Sequence, residues 1–143
     1  AVTATDVSAK ALAVARRNAV RLDLAVEFVE SSWWQGLAGR RFDLVVANPP
    51  YVAADDSHLA SLRHEPLEAL TPGGDGLDAL RAIVGGAPAH LAADGRLVVE
   101  HGFDQGEAVR ELFRTAGFVE VETRPDLAGH ERASGGRLPW PPR

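Results

Sequence analysis

The run Phe42 to Ala47 is built from phenylalanine, leucine, valine and alanine around a single Asp43, and it halts abruptly at Asn48-Pro49-Pro50-Tyr51. That composition is expected of a buried strand. Neither proline has an N–H and both have fixed φ, so the ladder cannot run on through them and the strand must end at Asn48. The loop beyond is stiff, and its carbonyls are free to accept hydrogen bonds from something other than a neighbouring strand.

A rigid carbonyl beside a carboxamide and an aromatic ring makes a small polar pocket. One hydrogen of a planar amide or exocyclic amine can go to the Asn48 side-chain oxygen and the other to the Pro49 carbonyl, while Tyr51 packs on the flat face. This geometry aims a nitrogen at an electrophile. Asn-Pro pairs also form ordinary turns, so the tetrapeptide alone is readable as punctuation too.

The rest of the chain alternates strand with helix. Val2 to Thr5 reads as a strand ending in Asp6, and Ser8 is placed to cap a helix whose apolar face is Leu12, Ala15, Ala19 and Leu22. A carboxylate at the end of a parallel strand can accept both hydroxyls of a ribose; alternatively Asp6 only favours the helix dipole. Val26 to Val29 is a second strand, leading into Ser31-Ser32-Trp33-Trp34. On extended backbone adjacent tryptophans point opposite ways, so one is expected inside and the other over a cleft, where it can shield an adenine; both can equally be filler.

Ala53 to Pro72 carries Asp55, Asp56, His58, His64 and Glu65 with little periodicity, and is long for a connection. Glu65-Pro66 can steady the pocket, whereas His58 and His64 read as solvated. Pro72-Gly73-Gly74-Asp75-Gly76 is not a phosphate loop, because no strand precedes it and no Lys-Ser or Lys-Thr follows. Asp75 is expected to cap a helix with Leu77, Leu80, Val84, Ala87 and Leu91 on one face, broken near Pro88. Leu97 to Val99 is the next buried strand. Asp104 and Glu107 resemble a capping box for a helix with Ala108, Val109, Leu112, Phe113 and Ala116 buried and Gly117 at its end. Phe118 to Thr123 alternates like an antiparallel or edge strand, His130 to Leu138 is a weak last strand, and 139–143 is a tail.

Alternation of this kind indicates an α/β fold with a mostly parallel sheet, an antiparallel final strand, and ligand at the carboxyl ends of the strands. Asp6, Trp33 and Asn48 all fall at or just past such ends. The 143 residues suit one domain, and 45% hydrophobic with 24% charged excludes disorder throughout. No apolar run approaches membrane-spanning length and no leader opens the chain, so a cytoplasmic protein without membrane partners is expected. There is no cysteine, and the five histidines lack ligand spacing with carboxylates, so no metal is expected. A net charge of −5 has the wrong sign for direct contact with nucleic acid.

Asn-Pro-Pro-Tyr after an apolar strand resembles the signature of S-adenosylmethionine-dependent methyltransferases acting on amide or amino nitrogens. With His64-Glu65-Pro66-Leu67, Gly73-Gly74-Asp75-Gly76-Leu77, Glu100-His101-Gly102 and Asp126-Leu127-Ala128-Gly129-His130-Glu131-Arg132 in this order, the chain resembles the bacterial protein-(glutamine-N5) methyltransferases that modify peptide-chain release factors. The resemblance implies a Rossmann-like class I methyltransferase fold, with residues 1–138 as catalytic domain. It implies S-adenosylmethionine as cofactor, with Asp6 on its ribose, Trp33 beside its adenine and Asn48 also lining its site. Asn48, Pro49, Pro50 and Tyr51 would hold the glutamine of a release factor, Asn48, Pro49 and Tyr51 serving catalysis.

Two departures from the family stand out. Ser32 occupies a position where relatives often have aspartate, and the glycine-rich cofactor loop and helical substrate-binding domain that precede Asp6 in the family are not among these residues. We therefore expect a sheet incomplete at its N-terminal side, in a piece of a longer enzyme, with dimerisation or strand swapping through the exposed edges as the alternative. Other readings are a ribosomal-protein glutamine or a base amine as methyl acceptor, and a non-catalytic remnant that serves as a binding module.

Overall fold

A computed structural model describes residues 1–52 and 74–140. The segment from Ala53 to Gly73, with Asp55, Asp56, His58, His64, Glu65 and Pro66, lies outside the described residues, as do 141–143. The chain falls into two compact units, 1–40 and 41–143.

In the first unit β1 (Val2–Asp6) pairs in parallel with β2 (Val26–Glu30), connected by α1 (Ala9–Arg21). Ser8 caps α1 as expected, its hydroxyl accepting the Ala11 N–H at 3.2 Å. Leu12 and Ala19 are buried, but Leu22 is exposed and does not join the stripe. The helix stops at Arg21, and Leu22, the C-cap, has left helical geometry at φ −100° and ψ 5°, with Asp23 turning left-handed after it at φ 53°.

The second unit holds a four-stranded sheet ordered β3-β4-β6-β5, from β3 (Phe42–Ala47), β4 (Leu91–Glu100), β5 (Val119–Pro125) and β6 (Glu131–Arg137). β3 and β4 are parallel, and β6 runs antiparallel to both β4 and β5. Helices α2 (Asp78–Gly86) and α3 (Gly106–Thr115) supply Leu80, Ile83, Val84, Val109 and Phe113 to a core shared with Leu97 and Val99. Ala87–Ala89 is a 3-10 turn, so α2 does break at Pro88. β3 is less buried than its composition suggests, with Leu44 57% and Val46 71% exposed.

The caps expected for the other two helices differ from the structure. Leu77 occupies the cap position of α2; Asp75 sits two residues earlier, accepting the Leu77 N–H and clasping Arg81, which holds its carboxyl down at about 2. Leu91, assigned to that helix, begins β4. Gln105 rather than Asp104 precedes α3, and Ala108 faces outward.

The weak last strand is interior to the sheet. β6 reads poorly because its centre is Ala133-Ser134-Gly135-Gly136, residues with little strand preference. The reason is space: a Cβ on Gly135 would stand 2.9 Å from the Leu97 carbonyl oxygen, and one on Gly136 3.1 Å from both Phe113 and Phe118, which stack edge to face above it. β4 also departs from a plain strand. Leu91 aligns with Phe42 but Arg96 with Leu44, so Ala92 to Gly95 bulge out, with Asp94 left-handed at φ 59°. A second bulge puts Glu120 at φ 53°, and Arg137 pairs with both strained carboxylates, Asp94 and Glu120.

Gly135→Ala is expected to cost about 1–3 kcal/mol, as overpacking against backbone does. Gly85→Ala, whose Cβ would meet no described atom within 4 Å, should be neutral or stabilising. Urea denaturation of the two variants checks the contrast.

Candidate active site

Within the first unit, Asp6 and Trp33 share the carboxyl end of the parallel β1–β2 pair, Asp6 lying opposite Glu30. The Asp6 side chain is exposed and takes the Ser8 N–H on Oδ1 at 2.7 Å, a tight turn that fixes the carboxylate at the strand end. Trp33 does not sit on extended backbone. It is left-handed at φ 49°, costly for a bulky residue, and both Trp33 and Trp34 are half-buried rather than one inside and one out.

Ser31 makes that turn. Buried at the end of β2, it donates its hydroxyl to the Trp33 carbonyl at 2.9 Å and accepts the Gly36 N–H at 2.8 Å. A Cβ at Gly36 would crowd the Glu30 carbonyl oxygen at 3.0 Å, so glycine is required where the turn closes.

Within the second unit, β3 delivers Asn48 to the carboxyl end of the parallel β3–β4 pair, where Ala47 lies opposite Val99. Asn48 is exposed, Pro49 is buried, and Pro50 and Tyr51 are half-buried. A buried proline followed by a bolted tyrosine leaves the asparagine side chain standing at the rim. Tyr51 is held at both ends: its hydroxyl donates to Glu100 Oε1 at 2.9 Å, and its carbonyl accepts from Gln105 Nε2 at 3.0 Å. Gln105 Oε1 in turn accepts the Gly102 N–H at 2.8 Å.

Behind this clamp lies a buried polar series. Arg110 Nη1 approaches Thr123 Oγ1 at 2.8 Å, Thr123 Oγ1 approaches Ser134 Oγ at 2.8 Å, and Ser134 Oγ approaches His101 Nε2 at 2.8 Å. His101 Nδ1 stands 2.8 Å from the Gly102 carbonyl oxygen. A guanidinium only donates and a carbonyl only accepts. The assignment that gives every hydrogen a partner therefore runs Arg110 to Thr123 to Ser134 to His101 to Gly102, with the imidazole proton on Nδ1. Among the described residues no buried side-chain nitrogen or oxygen lacks a partner.

The family model for the methyltransferase small domain matches residues 1–124. The chain belongs to the methyltransferase small domain family. It is 55% identical over 141 residues to a protein named release factor glutamine methyltransferase from Xylella fastidiosa, covering 96% of this chain and 51% of that protein. The chain thus spans about half the length of the curated relatives it matches. Among solved structures, a methyltransferase from Pyrococcus furiosus superposes with a TM-score of 0.71 at 20% identity, over 96% of this chain and 62% of that one. A release factor-specific protein-(glutamine-N5) methyltransferase from Alicyclobacillus acidocaldarius gives 0.53 at 25% identity, over 95% and 78%. The class I methyltransferase fold expected from the sequence is thereby shown. No described helix is long and apolar enough to cross a membrane.

For this methyltransferase domain, the residues that sequence reasoning passed over are Ser31, Glu100, His101 and Gln105. Glu100-His101-Gly102 was visible as a motif, but its contact with Tyr51 joins positions 49 apart in sequence. Gln105 was hidden behind Asp104, the better capping residue by type. An open groove between α2 and α3, lined by Arg81, Val84, Pro88 and Leu112, contains none of the expected site residues.

Burial, and then the hydrogen bond and charge of Glu100, push the Tyr51 phenol above its ordinary value, against a smaller opposing effect of Arg132. The folded chain holds that proton longer. Its stabilising contribution is complete below about pH 10 and is lost as pH rises through the folded value. Tyr51 is the sole tyrosine of the 143 residues, so ultraviolet titration of this chain reads it directly. Glu100→Gln should move that midpoint down towards the ordinary phenol value.

Proposed function

We propose that this chain provides the catalytic domain of an S-adenosylmethionine-dependent enzyme that methylates the side-chain amide of a glutamine in a peptide-chain release factor. One observation carries the reading: an exposed Asn48 at the carboxyl end of a parallel strand, set between the strand and a proline pair, the first buried, that leads to a tyrosine pinned from two sides. The names borne by the Xylella and Alicyclobacillus relatives support the same substrate class.

The first unit offers groups that suit the cofactor. Asp6 presents a carboxylate at a strand end, which fits a ribose diol, and Trp33 presents a partly open indole, which fits the face of an adenine. S-adenosylmethionine, when bound, supplies a methyl group carried on a sulfonium.

The work of the second unit is orientation. An amide nitrogen is a poor nucleophile because its lone pair is delocalised into the carbonyl. Asn48 Oδ1 and the Pro49 carbonyl would take its two hydrogens and fix the direction of the lone pair, with Pro50 and Tyr51 walling the slot. Alignment of this kind is worth up to roughly 7–11 kcal/mol of barrier. The same two acceptors ease the positive charge that develops on nitrogen, and the proton leaves to solvent afterwards, so no histidine base is needed.

In the full-length protein, Asn48→Ala is expected to abolish transfer of labelled methyl to a release factor, measured by scintillation counting of the protein band. Near-normal labelling by that variant would defeat the mechanism. Label appearing in a ribosomal protein or in nucleic acid instead would reassign the acceptor. Calorimetry showing no binding of S-adenosylmethionine would favour a non-catalytic binding module.

A further inference from the structure

The polar series that ends at Gly102 is not used by the chemistry above, yet Gln105 links the Gly102 N–H to the Tyr51 carbonyl, on the backbone of the loop that the chemistry depends on. We propose that Gln105 is a positioning residue for the Asn48–Tyr51 loop, its side-chain amide spanning the Gly102 N–H and the Tyr51 carbonyl from a frame set by His101. This rests on the function proposed above and deepens it.

Three features argue for positioning over simple loop packing. The first is directionality: Gln105 uses its acceptor on Gly102 and its donor on Tyr51, so only an amide of this length satisfies both. The second is the rigidity of the anchor. Gly102 is fixed by His101 Nδ1 and by the Gln105 N–H, both on its carbonyl, and His101 is fully buried with its Nε2 on Ser134. The third is close fit: a Cβ on Gly102 would sit 3.1 Å from Gln105 Oε1 and would press the amide aside by a few tenths of an ångström. On the other flank, Gly106 leaves the room filled by the Glu131 carboxylate, which pairs with Arg110 at 2.9 Å and ties the far end of the series to the start of α3.

The consequence is specific. Only Pro50 separates Tyr51 from Pro49, and its locked φ limits how far the Tyr51 carbonyl can shift without moving the Pro49 carbonyl and Asn48. A displacement of about 1 Å in such a group costs on the order of 100-fold in rate.

The test compares wild type, Gln105→Glu and Gln105→Met in the full-length protein. Gln105→Glu keeps the acceptor for Gly102 but sets an oxygen against the Tyr51 carbonyl; Gln105→Met keeps the length and removes both bonds. The expected result is a kcat for release-factor methylation lowered by roughly 10- to 100-fold in both, with KM for the release factor, affinity for S-adenosylmethionine and melting temperature kept. Hydrogen exchange at the backbone of 45–52 should quicken in both variants, a readout independent of turnover. Wild-type kcat or unchanged exchange in Gln105→Glu overturns the positioning role and leaves the proposed function standing. A fall in melting temperature with kcat and KM changing together also overturns it, in favour of a purely structural glutamine. If wild-type enzyme transfers no methyl to any glutamine, the functional reading fails and the positioning role with it.

Discussion

The hydrogen bond between His101 and Ser134 holds the second unit in register. It joins the end of β4 to the middle of β6 inside the core, where neither side chain meets water. Burying a hydroxyl and an imidazole without partners would cost several kcal/mol, by the order of magnitude for unpaired polar groups. Their mutual bond, extended through Thr123 to Arg110, removes that cost and makes the arrangement of β4, β5, β6 and α3 a single choice rather than one of several. The turn at Gly102 inherits this rigidity, and through Gln105 so does the loop after β3.

Sheet edges and helix starts show how far the sequence was readable. The end of β3 at Asn48, the serine cap of α1 and the glycine stop of α3 were legible because each is decided by local chemistry: a missing N–H, a hydroxyl beside orphan donors, a positive φ. β6 was located but carried only a weak signal, because its small residues are a response to Phe113, Phe118 and the β4 backbone, all distant in the chain. Trp33 was misjudged for a related reason. Alternation presumes extended backbone, and the Ser31 hydroxyl bends the chain before that rule can apply.

The candidate site divides the same way. Asp6, Trp33 and Asn48 to Tyr51 were singled out by strand ends, the proline pair and the family resemblance, and each lies at or just past the carboxyl end of a parallel pair. Their supports were not nameable from local pattern. Glu100 and Gln105 reach Tyr51 across long sequence separations, and a glutamine gives no sign of which backbone groups it will bridge. The tyrosine also takes on a second duty. Besides walling the proposed amide slot, it anchors the loop to the neighbouring strand through its hydroxyl.

The excursion at Ala92 to Gly95 sets the phase of everything downstream in β4. Leu97, Val99 and His101 face inward, while Val98 and Glu100 face the other way. Loss or gain of one residue in that excursion would exchange the two sets, sending a carboxylate into the core and leaving the tyrosine without its anchor. A hairpin-sized irregularity near the opposite end of the strand thus acts as the gauge block against which the candidate rim is cut.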